Sequence, residues 1–276
     1  MQSITVIILA KNEQQMLENC LRTVKWADQI LVLDNGSTDE TARIAEDFGA
    51  RVISFSHSSF ARLRNEPLKH IETDWVFYLD PDERVTPTLA KEILVNLETD
   101  QADILSFNRK NICYGQVFEH GGWENDVVTR AFKKTALQEW QGDIHESPVY
   151  EGRQILLHTP LIHLTHRNTT DGLKKTVQWT AIEARLLYEA GVSKVSFLTL
   201  VRKGLMEFLR RAVFKKGYKD GLPGLIEAVV QGINRVLVYI QVWELQQEPD
   251  LEDQYRQHEL KITRQWSQAD LDQFVN

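Results

Sequence analysis

Short apolar runs alternate with helical patterns over the first hundred residues, and this alternation constrains the fold more than any other feature of the sequence. It is typical of βαβ units, which build a mainly parallel sheet covered by helices. Four strands are predicted at residues 3–10, 29–33, 51–55 and 75–79. The last of these is apolar throughout, which favours burial on both faces. Further strand patterns at 102–108 and 127–132 are separated by Gly121-Gly122 and predict a more irregular, partly antiparallel second half.

Polar residues in the turns predict where the helices between these strands begin. Ser37 and Glu40 have the spacing of a capping box, which would start a helix running to about residue 48. Thr86 followed by Pro87 is a typical N-cap and first helical position. A helix over residues 60–70 is expected to be strained or to end near Pro67.

Composition supports an enzyme-sized globular protein and excludes collagen-like, coiled-coil and disordered classes. The 276 residues are 42% hydrophobic and 26% charged, and the net charge of −7 disfavours a nucleic-acid-binding protein. Cys20 and Cys113 form no CxxC pair, which suits a reducing compartment. The first apolar run has no basic residue before it and is too short for a signal peptide, so we expect a cytoplasmic protein.

Acidic and amide side chains follow three of the predicted strands. Asn12 and Glu13 follow the first, Asp34 ends the second, and Asp80 and Asp82 follow the fourth. In an open α/β sheet, ligands bind at the carboxyl ends of the strands. Asp34 taken alone is better explained as a turn-forming or capping residue than as a ligand-binding one. Two carboxylates one residue apart repel each other unless a cation or proton lies between them, and oxygen ligands suit Mg²⁺ or Mn²⁺, often shared with a substrate diphosphate.

Taken in order, these motifs resemble the family-2 glycosyltransferases, which have a GT-A fold. The residues that carry the resemblance are Asn12-Glu13, the run from Asp34 to Asp39, Asp80-Pro81-Asp82-Glu83, Arg64-Asn65, and the run from Gly142 to Glu146. The last two are similar to the subgroup that contains lipopolysaccharide core β-1,4-glucosyltransferases. The resemblance implies a Rossmann-like, nucleotide-sugar-binding GT-A domain over residues 1–170, followed by a helical region over residues 171–276.

The resemblance also implies a donor site and a metal site. Asp34 would contact the base or ribose of a UDP-sugar, with Asn12 and Glu13 nearby, and Arg64 would help to hold the nucleotide or diphosphate. Asp82 would ligate Mg²⁺ or Mn²⁺ through the donor diphosphate, and Asp80 would contact the ribose or reach the metal through water. Proline stands at position 81 where the family more often has alanine, which stiffens the turn and removes no carboxylate.

The chemistry requires a cation at the departing diphosphate and a base at the acceptor hydroxyl. Family-2 enzymes invert, so the base lies opposite the leaving group. Glu146 is the preferred base, Asp143 the second candidate, and His145 an orienting or acceptor-binding group; a merely polar loop is the alternative. His163 is either a late metal ligand, as in many GT-A enzymes, or a structural histidine.

A basic segment distinguishes the C-terminal region. Residues 194–219 contain eight Lys or Arg and one acid, a net charge of +7 that leaves −14 for the rest of the chain. Apolar residues recur there at helical spacing opposite basic ones, which favours a helix lying in an anionic membrane interface. The following apolar stretch, 225–243, contains Glu227, Asn234 and Arg235 and is therefore too polar for a membrane span. This stretch could instead pack on the catalytic domain, on a second subunit in a homo-oligomer, or against the membrane.

The sequence thus predicts an inverting hexosyltransferase, cytoplasmic and peripheral at the inner membrane. By resemblance, it transfers glucose from UDP-glucose to a glycolipid or lipopolysaccharide core acceptor. Three alternatives stay open: a protein glycosyltransferase with the same donor site, a non-catalytic membrane scaffold, and a phosphatase of the haloacid dehalogenase kind. In the phosphatase, Asp80 would be the nucleophile and Asp82 the acid, although that class places its D-x-D after the first strand.

Overall fold

The computed structural model describes residues 2–142 and 146–268, and the chain divides into two compact units. The first unit comprises Met1–Glu119 and Trp123–Asn168, and the second comprises His120–Gly122 and Thr169–Asn276.

A ten-stranded mixed sheet forms the first unit, with the strand order β3-β2-β1-β4-β8-β6-β12-β5, and with β7 and β11 paired to β6. The strands are β1 Ile4–Ala10, β2 Gln29–Asp34, β3 Arg51–Ser54, β4 Trp75–Leu79, β5 Glu83–Arg84, β6 Ile104–Cys113, β7 Gln116–Val117, β8 Val127–Lys133, β11 Gln154–Leu156 and β12 Leu161–Leu164. β1 pairs in parallel with β2 and β4, whereas β8 runs antiparallel to β4 and β6. A separate hairpin joins β9 Leu137–Gln141 to β10 Ser147–Tyr150. The predicted α/β class with a mixed, mainly parallel sheet is confirmed.

β4 lies in the centre of the sheet with apolar residues packed on both of its faces. All five of its residues are buried. Trp75, Phe77 and Leu79 join one apolar cluster, and Val76 and Tyr78 join the cluster on the other face. This arrangement explains the continuous apolar run in the sequence and holds the end of β4 rigidly.

Four helices and a short 3₁₀ turn connect the strands of the first unit. They are α1 Leu17–Arg22, α2 Thr41–Asp47, α3 Phe60–Asn65, the turn Glu66–His70, and α4 Pro87–Thr99. The predicted N-cap at Thr86 is confirmed, since its hydroxyl accepts a hydrogen bond from the backbone N–H of Leu89 at 3.2 Å. The predicted capping box at Ser37 is wrong: α2 begins at Thr41, and the Ser37 hydroxyl accepts instead from the backbone of Asn12.

The second unit is helical. Its elements are α5 Thr169–Glu189, α6 Phe197–Leu209, a π-helical turn Arg210–Phe214, a 3₁₀ turn Gly217–Asp220, α7 Gly221–Leu245 and α8 Leu251–Gln268. A small core that includes Ala184, Val195 and Val238 holds α5, α6 and α7 together. A Cβ on Gly204 of α6 would lie 2.5 Å from the Val236 side chain of α7, so glycine permits the close crossing of the two helices.

Residues 217–245 form a helical stretch that is long and apolar enough to cross a membrane by length and composition, with a mean hydropathy of 1.3 in its most apolar window. The three polar residues within it therefore do not by themselves exclude a span, contrary to the expectation from sequence. A helix in the core of a soluble protein meets the same two criteria, and one third of this window is buried.

Candidate active site

The strand register brings the predicted acidic residues to one edge of the sheet. Ala10 at the end of β1 pairs with Asp34 at the end of β2, and Ile8 pairs with Leu79, the last residue of β4. Asp80 follows Leu79 directly. Because these strands are parallel, their carboxyl ends lie side by side, at the position where open α/β sheets bind ligands.

The loops after β1 and β2 are tied together by hydrogen bonds. The buried Asp34 carboxylate accepts from the backbone N–H of Ser37 at 3.2 Å. The Asn12 side-chain oxygen accepts from the backbone of Thr38 at 2.8 Å, and the backbone of Glu13 donates to the Thr41 hydroxyl at 2.8 Å. The structure thus brings together three of the residues that the resemblance assigns to the nucleotide.

The turn between these residues depends on glycine. Gly36 has φ +71°, in the left-handed region, and a Cβ there would lie 2.7 Å from the Ser56 hydroxyl.

Asp80 is held by two arginines. Its carboxylate lies 2.5 Å from Nη2 of Arg130 and 3.6 Å from Nη2 of Arg64, and both arginines are almost entirely buried. Burial would raise the pKa of Asp80, but the guanidinium groups of Arg130 and Arg64 outweigh it and hold that pKa well below the usual range. Asp80 is therefore an ionised side chain whose charge is largely balanced by the protein.

A second buried carboxylate, Glu83, lies behind Asp80. Its Oε2 accepts from the backbone N–H of Asp80 at 2.9 Å, and its Oε1 lies 3.5 Å from Arg109 and 3.7 Å from Arg130. Burial raises the pKa of Glu83 despite the cation of Arg130. Asp126 binds the other side of Arg109 at 2.9 Å, so the ion pairs continue away from the D-x-D turn.

Sequence reasoning included Arg64 but missed Arg109 and Arg130 of this network. Arg130 lies within the apolar strand pattern 127–132, and a cation inside a strand expected to be buried is the available signal, since such a charge needs partners. Arg84 is also new: it donates to the backbone carbonyl of Pro81 at 2.6 Å and to that of Met16 at 3.0 Å. Arg84 therefore fixes the turn between the two aspartates.

Asp82 has different surroundings. Its Oδ2 lies 3.6 Å from Nε2 of His163, and its backbone carbonyl accepts from Leu164 at 2.8 Å. Nδ1 of His163 lies 2.7 Å from the side-chain oxygen of Asn111. A hydrogen bond at Nδ1 orients the ring and leaves Nε2 toward Asp82, which is the arrangement of a histidine prepared to ligate a metal.

The donor set fits a shared metal site. No group of three or more His, Cys, Asp or Glu that could hold a metal occurs among the residues the structure describes. Asp82 and His163 would supply two ligands, and Mg²⁺ commonly takes one or two carboxylates and completes its shell with substrate phosphates and water. Asp80 is less suited to direct ligation, because its two oxygens face arginines.

The preferred base, Glu146, lies beside Arg64. Its Oε1 accepts from Nε of Arg64 at 2.9 Å, and the Arg64 guanidinium lies 4.6 Å from the ring centroid of Trp140. The other two candidates, Asp143 and His145, lie outside the described residues.

These side chains surround a cavity of about 340 Å³, lined by Arg64, Arg130, Trp140, Glu146 and Tyr150 among others. Nη1 of Arg64 and Nε of Arg130 are buried and have no hydrogen-bond acceptor within the described parts of the chain. Buried N–H donors without acceptors are costly, and both arginines line the cavity, whose cationic lining suits a ligand rich in oxygen.

Comparison with known proteins identifies the class to which this fold and site belong. The model of "Glycosyl transferase family 2" matches residues 5–154, more than half of the chain, and the chain belongs to that family. The predicted family and the GT-A type of fold are confirmed, and the protein is a glycosyltransferase. Family membership removes the phosphatase alternative.

Relatives of similar length are also glycosyltransferases. The lipopolysaccharide core biosynthesis glycosyltransferase LpsC of Rhizobium meliloti is 24% identical over 91% of this chain and 96% of its own length. An uncharacterised glycosyltransferase of Rickettsia typhi is 23% identical over 89% of this chain and 88% of its own.

Among solved structures, the glucosyl-3-phosphoglycerate synthase of Mycobacterium tuberculosis, solved with Mn²⁺ and UDP, is 23% identical over 40% of this chain and 44% of its own, with a TM-score of 0.36. TarS of S. aureus is 14% identical over 85% of this chain and 49% of its own, with a TM-score of 0.46. The chain thus spans less than half the length of both solved proteins.

Proposed function

We propose that the protein is a metal-dependent, inverting hexosyltransferase that moves a sugar from a UDP-sugar, with UDP-glucose as first candidate, to a glycolipid or lipopolysaccharide core acceptor at the cytoplasmic face of the inner membrane. The observation that carries this proposal is the contact of Asp82 with His163 beside the arginine-lined cavity that contains Glu146. The relationship to LpsC supports the acceptor class.

In this proposal the two aspartates have different roles. Asp82 and His163 hold the divalent ion, which supplies Lewis-acid stabilisation of the departing diphosphate. Asp80, already neutralised by Arg64 and Arg130, accepts hydrogen bonds from the ribose and keeps the turn in place. The loops that carry Asn12, Glu13 and Asp34 hold the nucleotide at the adjoining strand ends.

Glu146 acts as the base that takes the proton of the acceptor hydroxyl as it attacks the sugar carbon. Arg64 orients one carboxylate oxygen of Glu146 through Nε, which leaves the second oxygen for the hydroxyl. A single displacement with base and leaving group on opposite faces inverts the anomeric configuration.

The test is a screen of nucleotide sugars with Mg²⁺ or Mn²⁺, measuring release of the nucleoside diphosphate. Asp82→Ala should lower metal-dependent turnover by at least about a hundredfold, and His163→Gln should raise the metal concentration needed for half activity about tenfold. Asp47→Ala, which removes an exposed aspartate at the end of α2, is the matched control and should behave as wild type. Full metal-dependent turnover by Asp82→Ala would show that the site assignment is wrong.

Acceptor class is tested with the best donor. Transfer to a lipopolysaccharide core glycolipid supports the proposal, and transfer to protein acceptors alone replaces it with a protein glycosyltransferase. Failure to bind any nucleotide sugar or metal would favour the scaffold.

A further inference from the structure

The second unit carries an unusual amount of exposed apolar surface. Phe197 and Phe214, near the two ends of α6 and its π-helical continuation, are 81% and 78% exposed, and Leu198 and Leu222 are 73% and 69% exposed. Single exposed apolar residues are common on soluble proteins, but a contiguous group of this kind marks a binding surface.

Two grooves are lined by residues of α6 and α7, and Phe214 lines one of them together with Met206 and Leu209. Val201 and Leu205 continue from Phe197 at four-residue steps along α6, and Val229 and Ile233 do the same along α7. All four line a single open groove of about 470 Å³ whose nine lining residues are apolar or glycine. The exposed stripes of the two helices therefore meet across the groove. We call the exposed surface of α6 and α7 that contains both grooves and Phe197 the α6–α7 face.

The polar side chains of α7 point to partners within the unit. Arg235 lies 2.6 Å from Glu183 of α5, and Asn234 accepts from the Thr176 hydroxyl at 3.2 Å. Glu227 is only 2% exposed and accepts from Gln231 at 2.8 Å. Because α7 directs these groups toward its own unit and its apolar stripe outward, it suits a helix that lies in an interface better than one that crosses a bilayer.

Exposed cations accompany the α6–α7 face. Arg202 lies on α6 between its exposed apolar residues, and Lys216 and Lys219 lie in the turns that lead to α7. The acid of this segment, Glu207, is buried and binds Arg210 at 2.5 Å and Arg211 at 2.7 Å. The face therefore presents cations beside apolar side chains, which complements a surface of anionic headgroups over acyl chains.

We propose that the second unit binds an anionic lipid bilayer through the α6–α7 face, with Phe197, Phe214 and their apolar neighbours inserted among the lipids and the cations at the depth of the phosphates. The proposal rests on the proposed function only in placing the acceptor in that bilayer. A second copy of the chain is a poorer occupant, because a two-fold contact would bring the same cations of both copies together.

The experiment is co-sedimentation of the full chain with vesicles of phosphatidylcholine, with or without phosphatidylglycerol. The protein should bind the anionic vesicles and be released by salt. Phe197→Ser and Phe214→Ser should each weaken binding about tenfold, and Lys216→Gln and Lys219→Gln about fivefold each, as expected for one cation near an anionic surface. Val95→Ser and Lys91→Gln, at exposed positions of α4, are the matched controls and should leave binding unchanged.

Other outcomes overturn the proposal. Absence of vesicle binding, binding that ignores lipid charge, or equal losses in the control variants would refute it. A dimer in solution that Phe197→Ser dissociates, without vesicle binding, would assign the face to a second copy. Retention in the membrane after carbonate extraction would make the chain integral rather than interfacial.

Failure of this proposal is separable from failure of the proposed function. Asp82→Ala should bind vesicles like wild type while losing transfer, and Phe214→Ser should release nucleoside diphosphate normally with a soluble acceptor.

Discussion

Replacing Arg130 by methionine tests whether the buried ion pairs hold the D-x-D turn together. Methionine keeps the approximate length of the side chain but removes the cation 2.5 Å from Asp80 and 3.7 Å from Glu83. Removing one partner of a buried ion pair usually costs about 3–5 kcal/mol. Since Asp80 retains Arg64 at 3.6 Å and Glu83 retains Arg109 at 3.5 Å, we expect the lower end, about 3 kcal/mol.

This loss is measurable by calorimetry. For a unit of this size, about 3 kcal/mol corresponds to a fall in Tm of about 6–12 °C. The cost should grow with pH: burial already raises the pKa of Glu83, so the folded variant takes up a proton more readily than the unfolded chain. The variant should therefore lose further stability as pH rises above the ordinary glutamate value of about 4.3.

A double-mutant cycle with Asp80→Asn isolates the pair. The stability losses of Arg130→Met and Asp80→Asn should be non-additive by about 1–3 kcal/mol, because each substitution removes the same contact. Additivity within about 0.5 kcal/mol, or a fall in Tm below about 2 °C for Arg130→Met, would refute the reasoning.

Two further predictions concern the second unit. A Cβ on Gly224 would lie 2.1 Å from the backbone oxygen of Gly217, so Gly224→Ala should destabilise this unit by about 1–3 kcal/mol. Gly172 has open space around it, so Gly172→Ala is the control and should be neutral or stabilising. Equal Tm values for the two variants would contradict this prediction. Burial would raise the pKa of Glu207, but its two arginine partners outweigh burial and hold this pKa at about 2. The stability that Glu207 contributes is therefore complete above the ordinary glutamate pKa of about 4.3 and is lost as pH falls toward the pKa of the folded state. Glu207→Gln should cost about 1 kcal/mol at neutral pH, and the difference in Tm from wild type should shrink as the pH of the scan falls below about 4; a constant difference would refute the assignment.

The sequence predicted the central strands because local periodicity and burial agree there. β4 is apolar at every position, and a strand covered on both faces requires that pattern. The start of α2 was mispredicted because Ser37 has two competing uses. A capping box requires the Ser37 hydroxyl to accept a hydrogen bond from the backbone of its own helix. The loop after β1 lies beside Ser37, and the backbone N–H of Asn12 donates to that hydroxyl instead. That competition depends on a contact across 25 residues, which spacing in the sequence does not reveal.

The sequence also predicted only part of the candidate site. Carboxylates at strand ends are visible because parallel topology alone brings their positions together. Arg130 and Asn111 lie on strands distant in sequence, and only the pairing of β8 with β4 and of β12 with β6 brings them to the D-x-D turn. The contact of His163 with Asp82 likewise depends on β12 pairing with β5.

The charges of the assembled site explain why its two aspartates should differ in use. Three arginines, Arg64, Arg109 and Arg130, are paired with Asp80, Glu83, Asp126 and Glu146. Asp82, which lies 3.6 Å from His163, adds a fifth carboxylate. Arg84 acts electrostatically on Asp82, so this cluster contains five acids and four arginines, and a donor diphosphate would add more negative charge. Both carboxylate oxygens of Asp80 face arginines, whereas Asp82 faces His163, so a divalent cation is better placed at Asp82 than at Asp80.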